Sequence, residues 1–278
     1  MKIRLVSART YALVFFITSF VLLAAPARAQ FKPRPINDPA TGESYHIEAA
    51  AGFWFPAAEL SISSQQFGIQ GSSIDFTKDL GLTDRRFPEL RLEVRGGRSK
   101  LRLQYIPIKY EQTGTLPREI IFNGQRYRVG LPVTSSLDWK AYRAGYEYDF
   151  VRRDRGFAGF ILELKYTDVS ASLTSTAPLI AEAIQARAPI PAIGLNFRAY
   201  VVPNVSITGE VTGFKLPERL VKDTQGHYLD IDVYATLNFT NNVGVQAGYR
   251  SLDVGYVVKT DTGSFLLKGL YFRLVARY

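Results

Sequence analysis

Along residues 228–239 apolar and polar positions alternate without a break: Leu229, Ile231, Val233, Ala235, Leu237 and Phe239 against Tyr228, Asp230, Asp232, Tyr234, Thr236 and Asn238. Successive side chains of a strand point to opposite faces, so this segment predicts a strand with one apolar and one polar side. The same period predicts nine more strands, over residues 45–55, 90–94, 101–105, 142–150, 160–166, 193–201, 205–211, 243–249 and 266–278. Two places break the rhythm. Pro107 is expected to mark a bulge where the phase slips, and Leu137 and Trp139 stand out of phase with the apolar face of 142–150. In the first strand, Tyr45 and Ile47 are assigned to the apolar face, His46 and Glu48 to the polar one.

The links between these strands alternate in length. Residues 96–99, 151–155, 202–204 and 240–242 have the size and the Gly, Pro, Asn or Asp content of hairpin turns. Residues 56–86, 112–132, 171–188 and 215–226 are much longer, and 259–263 is the brief exception. An even number of strands with short turns at one end and long loops at the other predicts an all-β, closed, antiparallel up-and-down transmembrane barrel with both termini periplasmic. A soluble β-sandwich or lipocalin-like barrel is the competing fold, since its strands alternate as well. Within the long links, residues 72–82 mix apolar and acidic positions and are compatible with folding back over the barrel mouth. Asn123-Gly124 is a hairpin signal that extends the third and fourth strands, and residues 178–187 have the composition of a short helix.

The first residues add a destination. Lys2, Arg4 and Arg9 precede an uncharged apolar run, followed by Ala27-Arg28-Ala29. This is the order of a secretory signal peptide over residues 1–29, with a short periplasmic segment 30–43 and the barrel over 44–278. Cleavage removes four basic residues and no acid, lowering the net charge from +9 to +5. So mild a basic excess does not suggest nucleic acid as a partner. No later stretch is apolar for long enough to form a spanning helix, so a membrane would be crossed by strands. The 16 Tyr and 18 Phe supply aromatic girdles.

The terminal segment Lys268-Gly269-Leu270-Tyr271-Phe272-Arg273-Leu274-Val275-Ala276-Arg277-Tyr278 and the segment Gly248-Tyr249-Arg250-Ser251-Leu252-Asp253 resemble small Gram-negative outer-membrane barrels of the OmpA, OmpX and opacity-protein type. The resemblance implies an outer-membrane location and lipid surroundings. It also implies recognition by the barrel-assembly machinery through Leu270, Phe272, Leu274, Ala276 and Tyr278. Two departures stand out: the last residue is Tyr where Phe is commoner, and ten strands replace the usual eight.

With apolar faces turned to lipid, the polar faces line the lumen. They carry Glu48, Glu89, Arg91, Glu93, Arg95, Arg102, Arg143, Glu147, Asp149, Glu163, Lys165, Arg198, Glu210, Asp230, Asp232, Arg250, Arg273 and Arg277. Acids and bases are present in equal numbers. Charges withdrawn from water are costly unless paired, so the balance predicts a network of cross-strand ion pairs that largely fills the barrel. The interior of an eight-stranded barrel is just filled by side chains, and ten strands lie near that limit. The alternative is a narrow conduit for ions or small solutes.

Catalytic chemistry finds little support. With no cysteine there is no disulfide, thiolate metal site or cysteine nucleophile. Metal-spaced histidines, a phosphate loop and a GxSxG elbow are absent from the sequence, and neither a cofactor nor an enzyme is expected. Of the two histidines, His227 lies near Asp230 and Asp232, the kind of pairing a ten-stranded rim protease uses, yet its parity sets it on the opposite face. His46 is placed inward beside Glu48. Recognition of an extracellular ligand, unidentified by the sequence, falls to the loops, where Arg85, Arg86, Arg118, Arg126 and Arg128 are candidates for lipopolysaccharide phosphates.

Overall fold

A computed structural model describes residues 38–63, 71–176, 179–216, 223–258 and 261–278, all within the unit Arg34–Tyr278. The leader 1–29 expected from the sequence lies outside the described residues, as do residues 30–37. Thirteen strands are numbered here in chain order: β1 (Ile47–Ser63), β2 (Ile74–Asp75), β3 (Phe87–Gly96), β4 (Ser99–Thr115), β5 (Ile120–Phe122), β6 (Gln125–Tyr127), β7 (Pro132–Arg153), β8 (Gly156–Thr176), β9 (Leu179–Val202), β10 (Val205–Leu216), β11 (Thr224–Asn238), β12 (Val243–Val258) and β13 (Asp261–Arg277). Ten of them, all but β2, β5 and β6, form a continuous antiparallel wall in which each pairs with its chain neighbour. Pairing of β1 with β13 from Glu48↔Arg277 to Ser63↔Thr262 closes it. Closure joins the first and last strands of the sheet, the condition for exposing it to lipid. The start of β1 and the end of β13 meet at one rim, called here the terminal rim; the opposite one is the distal rim.

On the terminal side of the wall the outward residues are apolar and exposed, among them Phe53, Phe55, Leu90, Leu103, Phe160, Leu162, Leu195, Phe197, Ile231, Val233, Leu270 and Phe272. A belt that encircles the barrel far exceeds the apolar patches of water-soluble monomers and is the outer surface of a membrane-spanning barrel. Tyr105, Tyr142 and Tyr166 run along its distal border, with ring centroids 4.7 and 6.5 Å apart. Past that border the polarity of the wall inverts. Glu59, Lys109, Glu111, Lys140, Asp168 and Lys215 now face outward, while Leu60, Ile106, Ile108, Leu137, Trp139 and Leu267 are buried inside.

The inversion accounts for the phase of Leu137 and Trp139 and corrects the expectation at Pro107. No bulge occurs at Pro107: the β4–β7 register runs unshifted from Ser99↔Tyr148 to Thr115↔Pro132. Leu137 and Trp139 are in phase with Arg143 and point inward. What changes is the environment of each face, because a strand that leaves hydrocarbon for water must exchange the sides on which it keeps its apolar residues.

Other corrections concern the links. Most of the supposed long loops are strand: β8 and β9 form a hairpin reaching to Thr176 and Leu179, in register from Gly156↔Ala199 onward. Residues 179–187, expected as a helix, are therefore extended, since pairing with β8 outweighs the helical preference of an Ala-rich stretch. Asn123 (φ 52°) and Gly124 (φ 78°) form the hairpin turn that their sequence predicts, but it joins the separate pair β5–β6 and does not prolong β4 and β7. At the start of β1 the expected sides are exchanged: Tyr45 is buried and His46 exposed, because the chain enters β1 from within the barrel.

Candidate functional site

The lumen is the candidate site, and it is filled in two layers. Its terminal layer is an ion-pair network. Asp230 accepts from Arg250 Nε (3.0 Å) and Nη2 (2.8 Å) and from Arg143, and Lys165 lies 3.4 Å from it and 2.8 Å from Glu163. Glu89 lies between Arg250 at 3.4 Å and Arg273 at 3.3 Å, and Arg273 is also 3.7 Å from Asp232. Arg102 joins Glu147 (2.9 Å) to Glu210; Arg91 reaches Glu210 at 2.9 Å and Glu93 at 3.6 Å. Arg277 Nε donates to Glu48 Oε2 at 2.6 Å. Aromatic hydroxyls and faces complete the packing: Tyr271 donates to Asp232 (2.6 Å), and the Arg250 guanidinium lies 5.5 Å from the Trp54 ring centroid. Every lumen charge named from the sequence is inward-facing, and most are almost wholly buried.

Two members escaped the sequence analysis. Lys100, buried between Glu147 (2.6 Å) and Asp149 (3.1 Å), has the parity of Arg102; extending the strand one residue toward the turn would have found it. Glu43 had no such signal. Residues 38–45, which begin in the segment assigned to the periplasm, enter the terminal mouth. There Thr41 N donates to Pro203 O (2.6 Å), Gly42 N to Asn241 Oδ1 (3.0 Å) and Asn238 Nδ2 to Thr41 O (2.6 Å). The Glu43 carboxylate bridges Arg95 (2.9 Å) and Arg198 (2.8 Å) and accepts from Tyr200. Burial acts to raise the pKa of this carboxyl, but the charges of Arg198 and Arg95 overcome it and hold the pKa at about 2.

The distal layer is a hydrocarbon core. Trp54, Leu60, Ile62, Ile106, Ile108, Tyr110, Leu137, Leu252 and Leu267 contribute from the wall. Two segments insert from the distal rim: Ile74, Phe76, Leu80 and Leu82 from one link, and Leu116, Ile120, Phe122 and Tyr127 from the β5–β6 hairpin. Arg118 clamps the two inserts together. Its Nε and Nη2 donate to Asp79 at 2.8 and 2.6 Å and its Nη2 also to Ser73 O at 2.6 Å, which holds the Asp79 carboxyl below its usual pKa. Arg118 is thus held by Asp79 and Ser73, and Arg126 lies 3.0 Å from Glu119 on the surface. Arg86 lies 5.3 Å from the Phe53 ring.

The histidines form no catalytic constellation with the lumen acids. His227 is half exposed on the outer wall, 3.2 Å from Asp253, while Asp230 and Asp232 are buried within. His46 lies exposed at the terminal rim rather than beside Glu48.

No family model matches the sequence, and no curated protein matches it. Solved structures do. The outer membrane protease OmpT from Escherichia coli superposes with a TM-score of 0.51 at 9% identity, over 88% of this chain and 100% of that one. The Pseudomonas putida toluene transporter TodX gives 0.37 at 8% identity, over 93% and 94% of the two chains. Neisserial surface protein A gives 0.35 at 12% identity, over 84% and 97%. At such identities the likeness speaks to architecture, and the fold is that of the ten-stranded outer-membrane β-barrels.

Proposed function

We propose that this chain is a non-catalytic, non-conducting barrel of the bacterial outer membrane that serves envelope structure or surface interaction. Both termini lie on the periplasmic side, after removal of residues 1–29 as a leader. The orientation is supported by the tight turns at the terminal rim and by the extended, water-facing wall at the distal one. Outer-membrane lipids surround the belt. The outward row Leu270, Phe272, Leu274, Ala276 and Tyr278, exposed along β13, is the segment offered to the barrel-assembly machinery.

One observation carries the closed reading: the lumen is occupied at both levels, by paired charges below and by packed hydrocarbon above. An ion crossing it would have to displace desolvated ion pairs and then traverse an apolar core, and each step is costly. Purified protein in a planar bilayer is expected to give no steady conductance. Stable, ion-selective current steps would refute the proposal in favour of a narrow channel. His227→Ala is expected to change no hydrolytic activity, and loss of a measured activity in that variant would refute the non-catalytic assignment.

A further inference from the structure

Between β9 and β10 the wall comes apart. Their pairing ends at Gly213↔Ile193, although Phe214–Leu216 of β10 and Ile190–Ala192 of β9 are all extended. Past that point β10 stays paired with β11 to Leu216↔Gly226, and β9 with β8 through Ser175↔Ile180. The parting is encoded in the sequence. Tyr200 N donates to Arg155 O on the β8 side, and the β8–β9 register is unshifted. Even-numbered residues of β9 therefore turn their backbone groups to β8, and odd-numbered ones turn theirs to β10. Pro189 and Pro191 are odd, so on the edge facing β10 two successive donors are missing and the seam cannot zip.

Behind the seam lies a cavity of about 670 Å³, within the roughly 300–1,000 Å³ of small-molecule sites. Its wall is mostly apolar, with Val169, Ile184, Phe214 and Phe265 among the lining residues and Gln185 and His227 among its polar ones. Trp139, also in the wall, has a buried Nε1 without an acceptor. The seam opens at the border of the belt: Ile193 and Val211 are exposed apolar residues on the outer faces of β9 and β10, and Arg187 and Lys215 are the first cations beyond them toward the distal rim. Arg187 shares its charge with Asp168 at 3.2 Å; Lys215 has no ion-pair partner among the described residues.

An apolar chamber, a sideways entrance at the edge of the hydrocarbon and a basic lip together fit an amphiphile whose tail enters while its anionic head stays at the surface. We propose that this cavity takes one acyl chain of an anionic lipid, admitted from the surrounding leaflet through the seam between β9 and β10. The proposal rests on the membrane placement above.

The test uses the full mature protein in nanodiscs containing phosphatidylglycerol with a photoreactive diazirine at the end of one acyl chain, and labelled residues are mapped by mass spectrometry. Label is expected at Val169, Ile184 and Phe214 as well as on the belt. Ala188→Trp, which fills the entrance, is expected to lower cavity labelling at least tenfold and leave Leu195 and Leu229 on the belt unaffected. Label confined to the belt overturns the proposal. So does cavity labelling unchanged in a folded Ala188→Trp protein, or cavity labelling by diazirine-tagged palmitate added from water but not by the phospholipid. Should Ala188→Trp fail to fold, Phe214→Trp supplies the same reading. Belt labelling reports membrane placement and conductance reports closure, so failure of either is distinguishable from failure at the cavity.

Discussion

Replacing Glu43 by Gln keeps its shape and removes the charge that Arg95 and Arg198 share. Depression of the carboxyl from 4.5 to about 2 corresponds to about 3 kcal/mol of preference for the docked, ionised form. A lowered folded-state pKa means that this contribution is complete above about pH 4.5 and is lost as pH falls toward 2. Arg95 retains the Glu43 carbonyl at 3.0 Å and Asp149 at 3.7 Å, and Arg198 retains Thr208 at 2.9 Å, so the barrel is expected to stay folded. Only the docked segment should loosen. Amide exchange at Thr41 and Gly42, in detergent-solubilised protein, reads this directly. At pH 7 the variant should show protection lower by roughly 100-fold, the scale of a few kcal/mol. In the wild type, protection should fall between pH 4.5 and 2 and converge on that of the variant, whose own profile is flat. Wild-type protection in Glu43→Gln at pH 7, or parallel pH profiles for the two proteins, would refute the assignment of Glu43 as the anchor.

Asp230→Asn leaves Arg143, Arg250 and Lys165 short of a shared anion and should cost about 3–5 kcal/mol, read as a lower temperature for the shift from folded to unfolded mobility on a detergent gel; an unchanged temperature would contradict the network. Ile108→Ala, in the distal core, should lower unfolding stability by about 2–5 kcal/mol, whereas Leu103→Ala on the belt should have a much smaller effect; equal effects in denaturant titration would mean that the core is not packed as described. Arg118→Ala should raise amide exchange at Ser72 and Ile121, which join the two inserts through bonds of 2.9 Å, yet leave the bilayer current absent, because the ion-pair layer remains. Current appearing in that variant would place the whole barrier in the distal core.

Strand number and lumen charge were legible because period two is strong wherever a wall separates lipid from a polar interior. Asp230, Asp232, Arg250 and Arg273 could be assigned to one face from parity alone. The bulge expected at Pro107 did not follow, because there and at Leu137 and Trp139 the period persists and its sign reverses; a pattern of apolar and polar letters does not say which side is wet. Hairpins beyond the belt read as loops in the sequence, since Ser, Thr and Ala on a water-facing strand look like linker composition. Glu43 and Tyr45 depend on the path of the chain into the terminal mouth, a tertiary matter on which no local pattern bears. The seam is a different case: Pro189 and Pro191 stood in the sequence, but their meaning required knowing which neighbour each backbone group faces.

The reversal of polarity along the wall also fixes how deeply the molecule sits. Moving the barrel toward its distal side by one residue pair would bare Leu270, Leu229 or Tyr142 to water, and moving it the other way would drag Lys140, Asp168 and Lys268 into oil. Charged side chains on a lipid face are penalised by about 2–4 kcal/mol each at mid-depth, less near the surface. Several such residues around the circumference act together as a waterline. Tilting the barrel submerges charge on one flank as it lifts hydrocarbon on the other, so the same ring keeps the axis upright as well as level.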